Sequence, residues 1–273
     1  QDISYAGCGL PYYVGGLIDT REELIVNTPA KFAGLTGVEV LTGREAIKLD
    51  STAKTVTARN HATGEEEHYT YDACILATGA SPIVPPLPGM DLEGVFKLRT
   101  PDDAIGLRDY VKSTQARRAV VVGGGFIGLE AAENLQAQGL TVTVVDLASQ
   151  IMPNIFDPEM AEYVKRHLQS KGIRVLTGNP LEAILGSGRV DAVKTGMGTL
   201  SADVVVLSIG IKPNTAFLAD SGIELFKGTV VVDEHLRTNL PDLYAAGDCA
   251  MVKNRLTGAP QWSAMGSSAN YEG

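Results

Sequence analysis

Two short stretches combine residue types and spacing that could do chemistry. The first is Ser4-Tyr5-Ala6-Gly7-Cys8-Gly9-Leu10-Pro11-Tyr12-Tyr13. Proline is favoured at the first position of a helix. A helix starting near Pro11 would point its positive end at Cys8 and favour the reactive thiolate. Such a thiolate attacks sulfur by thiol–disulfide exchange. The other two cysteines read differently. Cys74 lies in an apolar strand and Cys249 follows Asp248, and both read as packing residues.

The second stretch is Gly123-Gly124-Gly125-Phe126-Ile127-Gly128. Its G-x-G-x-x-G spacing follows the apolar run Ala119–Val122 and precedes the helix-forming run Leu129–Gln136. A second β-rich run, Thr141–Val145, ends on Asp146, 23 residues after Gly123. In that strand–turn–helix–strand context the pattern predicts a dinucleotide site. Gly123 allows the tight turn, Gly125 lets backbone approach a pyrophosphate, and Gly128 lets helix and strand pack closely. The pyrophosphate would lie at the helix N-terminus. Asp146 would accept from the adenosine ribose hydroxyls and repel a 2′-phosphate. No arginine follows in Leu147-Ala148-Ser149-Gln150, so NADH is favoured over NADPH. The four histidines, His61, His68, His167 and His235, have no ligand or base spacing and read as surface. No metal site is expected.

The elements that position these stretches repeat. Val40-Leu41-Thr42-Gly43 returns as Val175-Leu176-Thr177-Gly178, and each is followed by Glu-Ala-Ile, at 45–47 and 182–184. Each copy then gives β-like segments and an apolar strand closing in a glycine turn, at Ala73–Gly79 and Asp203–Gly210. The offsets are 135 residues (43 to 178) and 131 (79 to 210). Two related α/β modules follow: Rossmann-like, three-layer nucleotide-binding folds. The proline-rich run Ser81–Gly89 reads as an extended connector. Strands near Thr229–Asp233 and Leu243–Asp248 come after the second module and must join a sheet. The expected domains are therefore 1–100 with 227–273, discontinuous, and 101–226, which carries the dinucleotide loop and is expected to be the more stable. Gly123 lies 55 residues before Gly178, so the first module's matching phosphate loop would fall before Gln1. The chain reads as an internal piece.

Composition bounds the rest. The length of 273 residues suggests about two domains. Hydrophobic residues at 44% and charged residues at 20% exclude a disordered chain. A net charge of −9 argues against nucleic acid as partner. No apolar run approaches the roughly 18–20 residues of a membrane helix. Three scattered cysteines make neither a disulfide framework nor a zinc site, and a reducing cytoplasm fits. Thirty glycines, about 11% against a usual 7% or so, point to nucleotide-binding turns.

Three motifs together resemble the flavin-dependent pyridine nucleotide-disulfide oxidoreductases. They are Gly123–Gly128, the turn Ala77-Thr78-Gly79, and Thr238-Asn239-Leu240-Pro241-Asp242-Leu243-Tyr244-Ala245-Ala246-Gly247-Asp248. The last is similar to the family's second FAD-binding stretch, whose aspartate contacts the ribityl and pyrophosphate region; Asp248 takes that place. The cofactors implied are FAD and NAD. The cofactor-binding residues implied are Ala77, Thr78, Gly79, Gly123, Gly125, Phe126, Ile127, Gly128, Glu130, Asp146, Gly210, Gly247 and Asp248. By the same resemblance Phe126 is an aromatic gate over the flavin, and Glu130 lies near the nicotinamide amide. A lone Cys8, with Tyr13 where paired-cysteine members carry their second thiol, resembles the single-cysteine branch. That branch holds coenzyme A-disulfide reductases, persulfide reductases, NADH oxidases and NADH peroxidases. Gly7 departs from the asparagine usual before that cysteine.

The resemblance implies hydride passing from NADH through FAD to Cys8, the catalytic residue, which reduces a disulfide or persulfide such as coenzyme A disulfide. Ser4, Tyr12 and Tyr13 are the candidates for lining the thiol channel. The family's C-terminal dimerisation domain is expected to lie outside this chain, and the whole protein is expected to be a homodimer. One alternative is an oxidase or peroxidase working through a Cys8 sulfenic acid. Another is an NADH-binding module without activity. A third is a cysteine-independent reductase of a ferredoxin-like partner.

Overall fold

The computed structural model describes residues 2–273, which divide into two compact units. One comprises 2–31 and 82–210, the other 32–81 and 211–273. These boundaries differ from those expected at 100/101 and 226/227. The largest difference is the segment with Cys8, which belongs to the glycine-loop unit. Leu10, Val14 and Leu24 explain it: all three are buried in one core with Leu107, Leu135 and Val142.

In the glycine-loop unit five strands pair in parallel. Their order is Arg174–Leu176, Thr141–Val145, Arg118–Val122, Val204–Leu207, Val95–Lys97. Parallel pairing needs crossovers and coverage of both faces. The strands accordingly read as apolar runs, and Val204–Leu207 is buried at every position. Alternate residues face opposite layers. Val121, Val142 and Val206 pack with Leu107, Ala131, Leu135 and Ala161 of the helices Pro101–Thr114, Phe126–Ala137 and Pro158–Ser170. Val120, Val122 and Val205 pack with Ile184, Val190 and Val193 of an antiparallel meander, Leu181–Ser187, Arg189–Thr195 and Gly198–Ser201. That makes three layers.

Local chemistry fixes the ends. Thr100 caps its helix reciprocally: its Oγ1 accepts from Asp103 N–H (3.2 Å), and the Asp103 carboxylate accepts from Thr100 N–H (2.8 Å). The Asp203 carboxylate accepts from the Arg117 and Arg118 N–H groups (3.0 and 2.9 Å) and from the Arg118 guanidinium (2.6 Å). This network pins the start of strand Arg118–Val122.

The other unit repeats the plan. Arg44–Asp50, Thr55–Asn60 and Glu66–Thr70 form a second antiparallel meander. Strand Cys74–Leu76 then pairs in parallel with Leu243–Ala245. Leu49, Leu76, Leu218, Val230 and Leu243 form its core. Gly43 and Gly178, the two ends of the repeated word, have φ of +69° and +66°. The repeat is not uniform, however. Val175 lies in a strand paired with Val144, while residues 37–43 form no strand. A strand needs a partner, and none of the described residues pairs with that stretch. A further helix spans Gly266–Glu272. No helix among the described residues is long and apolar enough to cross a membrane.

A polar cluster ties the first meander together. The Arg44 guanidinium grips the Glu67 carboxylate with two bonds (3.1 and 3.2 Å), Asn60 Nδ2 donates to it (2.8 Å), and the Tyr69 hydroxyl donates as well. These donors, Arg44 first, hold the Glu67 pKa down from 4.5 to about 2. A carboxyl with a depressed folded pKa adds stability above its unfolded value and loses it as pH falls. Glu67→Gln should therefore be less stable than the parent at pH 6, and the gap should close between about pH 4.5 and 2. Urea midpoints at pH 6 and 2.5 measure this; a gap independent of pH would contradict it.

Candidate active site

The carboxyl ends of the parallel strands open on a cavity of about 620 Å³, lined by residues of the glycine-loop unit. Such an edge is where open α/β sheets bind ligands. The floor is Val122, Gly123 and Gly125, with Ser208, Ile209 and Gly210 beside them. Apolar walls come from Leu147, Ala148, Pro180 and Leu181, and from Pro85 and Leu87 of the connector. Asp146 is the one ionisable side chain in the lining.

The glycines of the loop are required for different reasons. Gly123 has φ +112°, and a Cβ there would lie 2.3 Å from the Ser208 carbonyl oxygen. A Cβ on Gly128 would lie 2.0 Å from the Gly123 carbonyl oxygen. Those two are dictated by the fold. Gly125 has an ordinary φ of −84°, and a Cβ there would meet nothing within 4 Å. Its space lies on the cavity floor, a cradle that a side chain would fill. The site therefore fits a dinucleotide pyrophosphate at the N-terminus of helix Phe126–Ala137.

Asp146 ends its strand with both carboxylate oxygens committed to backbone. Oδ2 accepts from Gly124 N–H (2.5 Å) and Oδ1 from Ala148 N–H (2.7 Å). An ionised carboxylate has about four lone-pair sites, so capacity remains for ribose hydroxyls. The Asp146 carbonyl in turn accepts from Asn179 N–H (2.9 Å). Of the residues expected at this site, Gly123, Gly125, Asp146 and Gly210 line the cavity. Phe126, Ile127, Gly128 and Glu130 stand outside its wall. Phe126 and Ile127 are exposed on the helix's first turn. Partial burial, with Glu133 adding repulsion, pushes the Glu130 carboxyl pKa up.

Sequence reasoning missed Ser208. Its hydroxyl donates to the Val122 and Gly123 carbonyls (3.0 and 3.3 Å), tying one strand end to the loop. Its position just after the apolar strand Val204–Leu207 was the available signal. The connector and Pro180–Leu181 gave none, since parallel topology alone brings them to the cavity.

Cys8 sits in a short 3-10 turn, Gly7–Gly9, directly ahead of helix Leu10–Gly15. The helix begins one residue before Pro11. Its position is fixed on two sides. A Cβ on Gly15 would lie 2.0 Å from Asn134 Oδ1 on the loop helix, and Gln138 Nε2 donates to the Gly15 carbonyl (2.6 Å). The Arg108 guanidinium lies 4.7 Å from the Tyr13 ring centroid and donates to the Ile18 and Asp19 carbonyls (3.2 and 3.1 Å). Tyr13 is buried and packs in the same core as Leu10 and Val14. Tyr12 is exposed, and Ser4 is half-buried in a short strand paired with Ile25–Asn27. Of the three free thiols only Cys8 is exposed. Burial pushes the Cys74 thiol pKa up, and Cys249 is buried with its thiol donating to the Leu76 carbonyl (3.3 Å). No metal-binding group of side chains occurs among the described residues.

The remaining expected residues lie in the other unit. Leu76 and Ala245 are in register, so the turns Ala77-Thr78-Gly79 and Gly247–Asp248 leave the same strand edge. Ala246 N–H donates to the Leu76 carbonyl (3.0 Å). Thr78 Oγ1 is buried without a hydrogen-bond partner. An unpartnered hydroxyl beside two adjacent turns fits part of a FAD site. No glycine-rich strand-to-helix turn occurs among the described residues of this unit.

A family model for pyridine nucleotide-disulphide oxidoreductase matches residues 1–267. The chain belongs to that family, whose members use FAD and NAD(P)H. It is 36% identical over 273 residues to an NADH oxidase of Methanocaldococcus jannaschii, covering all of this chain and 61% of that one. It is 34% identical to a CoA-dependent NAD(P)H sulfur oxidoreductase of Pyrococcus abyssi, covering 99% and 60%. Among solved structures it resembles reduced CoADR-RHD of Bacillus anthracis with a TM-score of 0.94 and 34% identity, covering 100% of this chain and 49% of that one. The chain spans about 60% of the length of the curated relatives it matches.

Two substitutions test the cavity. Gly125→Ala should leave the unfolding free energy within about 0.5 kcal/mol of the parent, because nothing in the fold occupies its space. It should raise the NADH dissociation constant at least about tenfold by filling the cradle. Fluorescence titration measures this; unchanged affinity would remove Gly125 from the site. Asp146→Ala should narrow the preference for NADH over NADPH, and an unchanged ratio would refute the role of that carboxylate.

Proposed function

We propose that the protein uses NADH to reduce a disulfide or persulfide of a small thiol, such as coenzyme A, through FAD and Cys8. The observation that carries this reading is the placement of Cys8. It is the one exposed thiol, on a turn whose helix packs directly on the helix that follows the phosphate loop.

The residues have the following roles. The loop Gly123–Gly128 holds the dinucleotide pyrophosphate with backbone N–H groups. Asp146, pre-set by two backbone donors, accepts from the adenosine ribose and disfavours a 2′-phosphate. Ala77-Thr78-Gly79, Gly247 and Asp248 hold their part of FAD. When bound, FAD supplies the two-electron carrier between pyridine nucleotide and thiol. The Cys8 thiolate attacks one sulfur of the substrate, a mixed disulfide forms, and the other sulfur leaves as a thiolate; the two electrons drawn from NADH would then cleave that mixed disulfide, releasing the second thiolate and restoring Cys8. Exposed Tyr12 and half-buried Ser4 flank that thiol in sequence and are the candidates for contacting the substrate. The supporting resemblance is to a CoA-dependent sulfur oxidoreductase and to CoADR-RHD. A homodimer in the cytoplasm is the setting this reading implies for the whole protein.

The NADH oxidase relative favours a second reading, in which Cys8 reduces oxygen or peroxide through a sulfenic acid. Assays of the full-length protein with coenzyme A disulfide, a persulfide, oxygen and peroxide separate the two. Under the proposal, Cys8→Ser lowers disulfide reduction at least about 100-fold and leaves NADH affinity unchanged. Parental disulfide reduction by Cys8→Ser would overturn it. Peroxide as the sole substrate would establish the second reading.

A further inference from the structure

We infer that Asn214 is a positioning residue for the turn Ala77-Thr78-Gly79, setting the shape of the flavin site. The inference rests on the reading that this turn and Gly247–Asp248 hold FAD.

Asn214 makes three hydrogen bonds to one short segment. Its backbone N–H donates to the Gly79 carbonyl (2.9 Å). Its Nδ2 donates to the Thr78 carbonyl (3.0 Å). Its Oδ1 accepts from the Ser81 hydroxyl (2.7 Å). The amide orientation is forced, because a carbonyl only accepts and the NH2 must therefore face Thr78. Two consecutive carbonyls of the turn are thus fixed by one residue that lies 136 positions from Thr78.

The held turn is the one with an unsatisfied group. Thr78 Oγ1 is buried and unpartnered, while the carbonyl of the same residue is tied down by Asn214. Buried hydroxyls without partners are costly and are kept where something else satisfies them. The turn also leaves the carboxyl end of a parallel strand pair, the edge at which such sheets bind ligands. The neighbouring turn leaves that same edge and shares the Leu76 carbonyl, which accepts from both Ala246 N–H and the Cys249 thiol. Asn214 therefore fixes the turn that offers a free hydroxyl, and does so with a side chain that need not touch the cofactor.

Asn214→Asp is the informative variant. It keeps the shape but sets a carboxylate oxygen against the Thr78 carbonyl, turning attraction into repulsion. Asn214→Ala deletes both side-chain bonds, and Ser81→Ala removes only the outer one. FAD is titrated into the apo form of each full-length variant and followed by flavin fluorescence and the visible absorption band. Asn214→Asp and Asn214→Ala should raise the FAD dissociation constant at least about tenfold and shift the band of the bound flavin. NADH affinity should not change, and Ser81→Ala should be close to the parent. A purely structural role would lower the thermal midpoint of the apoprotein without moving the flavin band, and that result overturns the inference. If Asn214→Ala does not fold, the isosteric Asn214→Asp decides. Thr78→Val and Asp248→Ala serve as controls on the underlying reading. If they weaken FAD binding and Asn214→Asp does not, the inference fails and the reading stands. If Thr78→Val, Asp248→Ala, Asn214→Asp and Asn214→Ala all leave it unchanged, the assignment of both turns to FAD fails.

Discussion

Parallel pairing is the constraint on which the rest of the glycine-loop unit depends. It aligns the carboxyl ends of five strands at one edge, and no hairpin can close that edge. Each strand must leave through a turn and return by a crossover, so backbone groups crowd there. Gly123 is the tightest point, with the Ser208 carbonyl oxygen where a Cβ would otherwise stand. The Ser208 hydroxyl, the Asp146 carboxylate and the Asn179 N–H then satisfy groups that the crowding exposes. What they leave open is the space at Gly125. The cavity is thus a by-product of topology, tuned by a few polar side chains.

The same plan occurs twice in this chain, once in each unit. An antiparallel meander precedes a strand that pairs in parallel and ends in a glycine turn. The closing strand of the second copy, Val204–Leu207, sits in a sheet of five parallel strands, whereas that of the first, Cys74–Leu76, has a single parallel partner, Leu243–Ala245, among the described residues. The difference shows in the repeated word. Val175 finds Val144 as neighbour and becomes strand, while the stretch around Leu41 remains irregular and exposed. Identical short sequences take different structure because a strand is a property of a pair.

Much of this was legible in the sequence. The strand, the glycine loop, the helix and the following strand were legible, and with them the candidate loop and Asp146, because period, spacing and glycine placement are local. The meanders were legible because alternation is local too. Three features were not. Tyr13 lies five positions after the candidate thiol Cys8 yet packs under Arg108, nearly a hundred positions away. The N-terminal segment joined the glycine-loop unit because Leu10, Val14 and Leu24 found their core there. Asn214 holds a turn 136 residues earlier in the chain, with no local pattern to announce it.

The sequence by itself determined the family, the candidate dinucleotide loop and the candidate thiol. Each depends on residue types at fixed short spacings. Tertiary structure alone decided which thiol is exposed, which glycines serve the fold and which leaves room for a ligand. It also decided which distant side chains hold the site in shape. The physical reason is the range of the interactions. Backbone conformation and turn chemistry are set within a few residues, whereas burial and hydrogen-bond satisfaction depend on whatever the folded chain brings near.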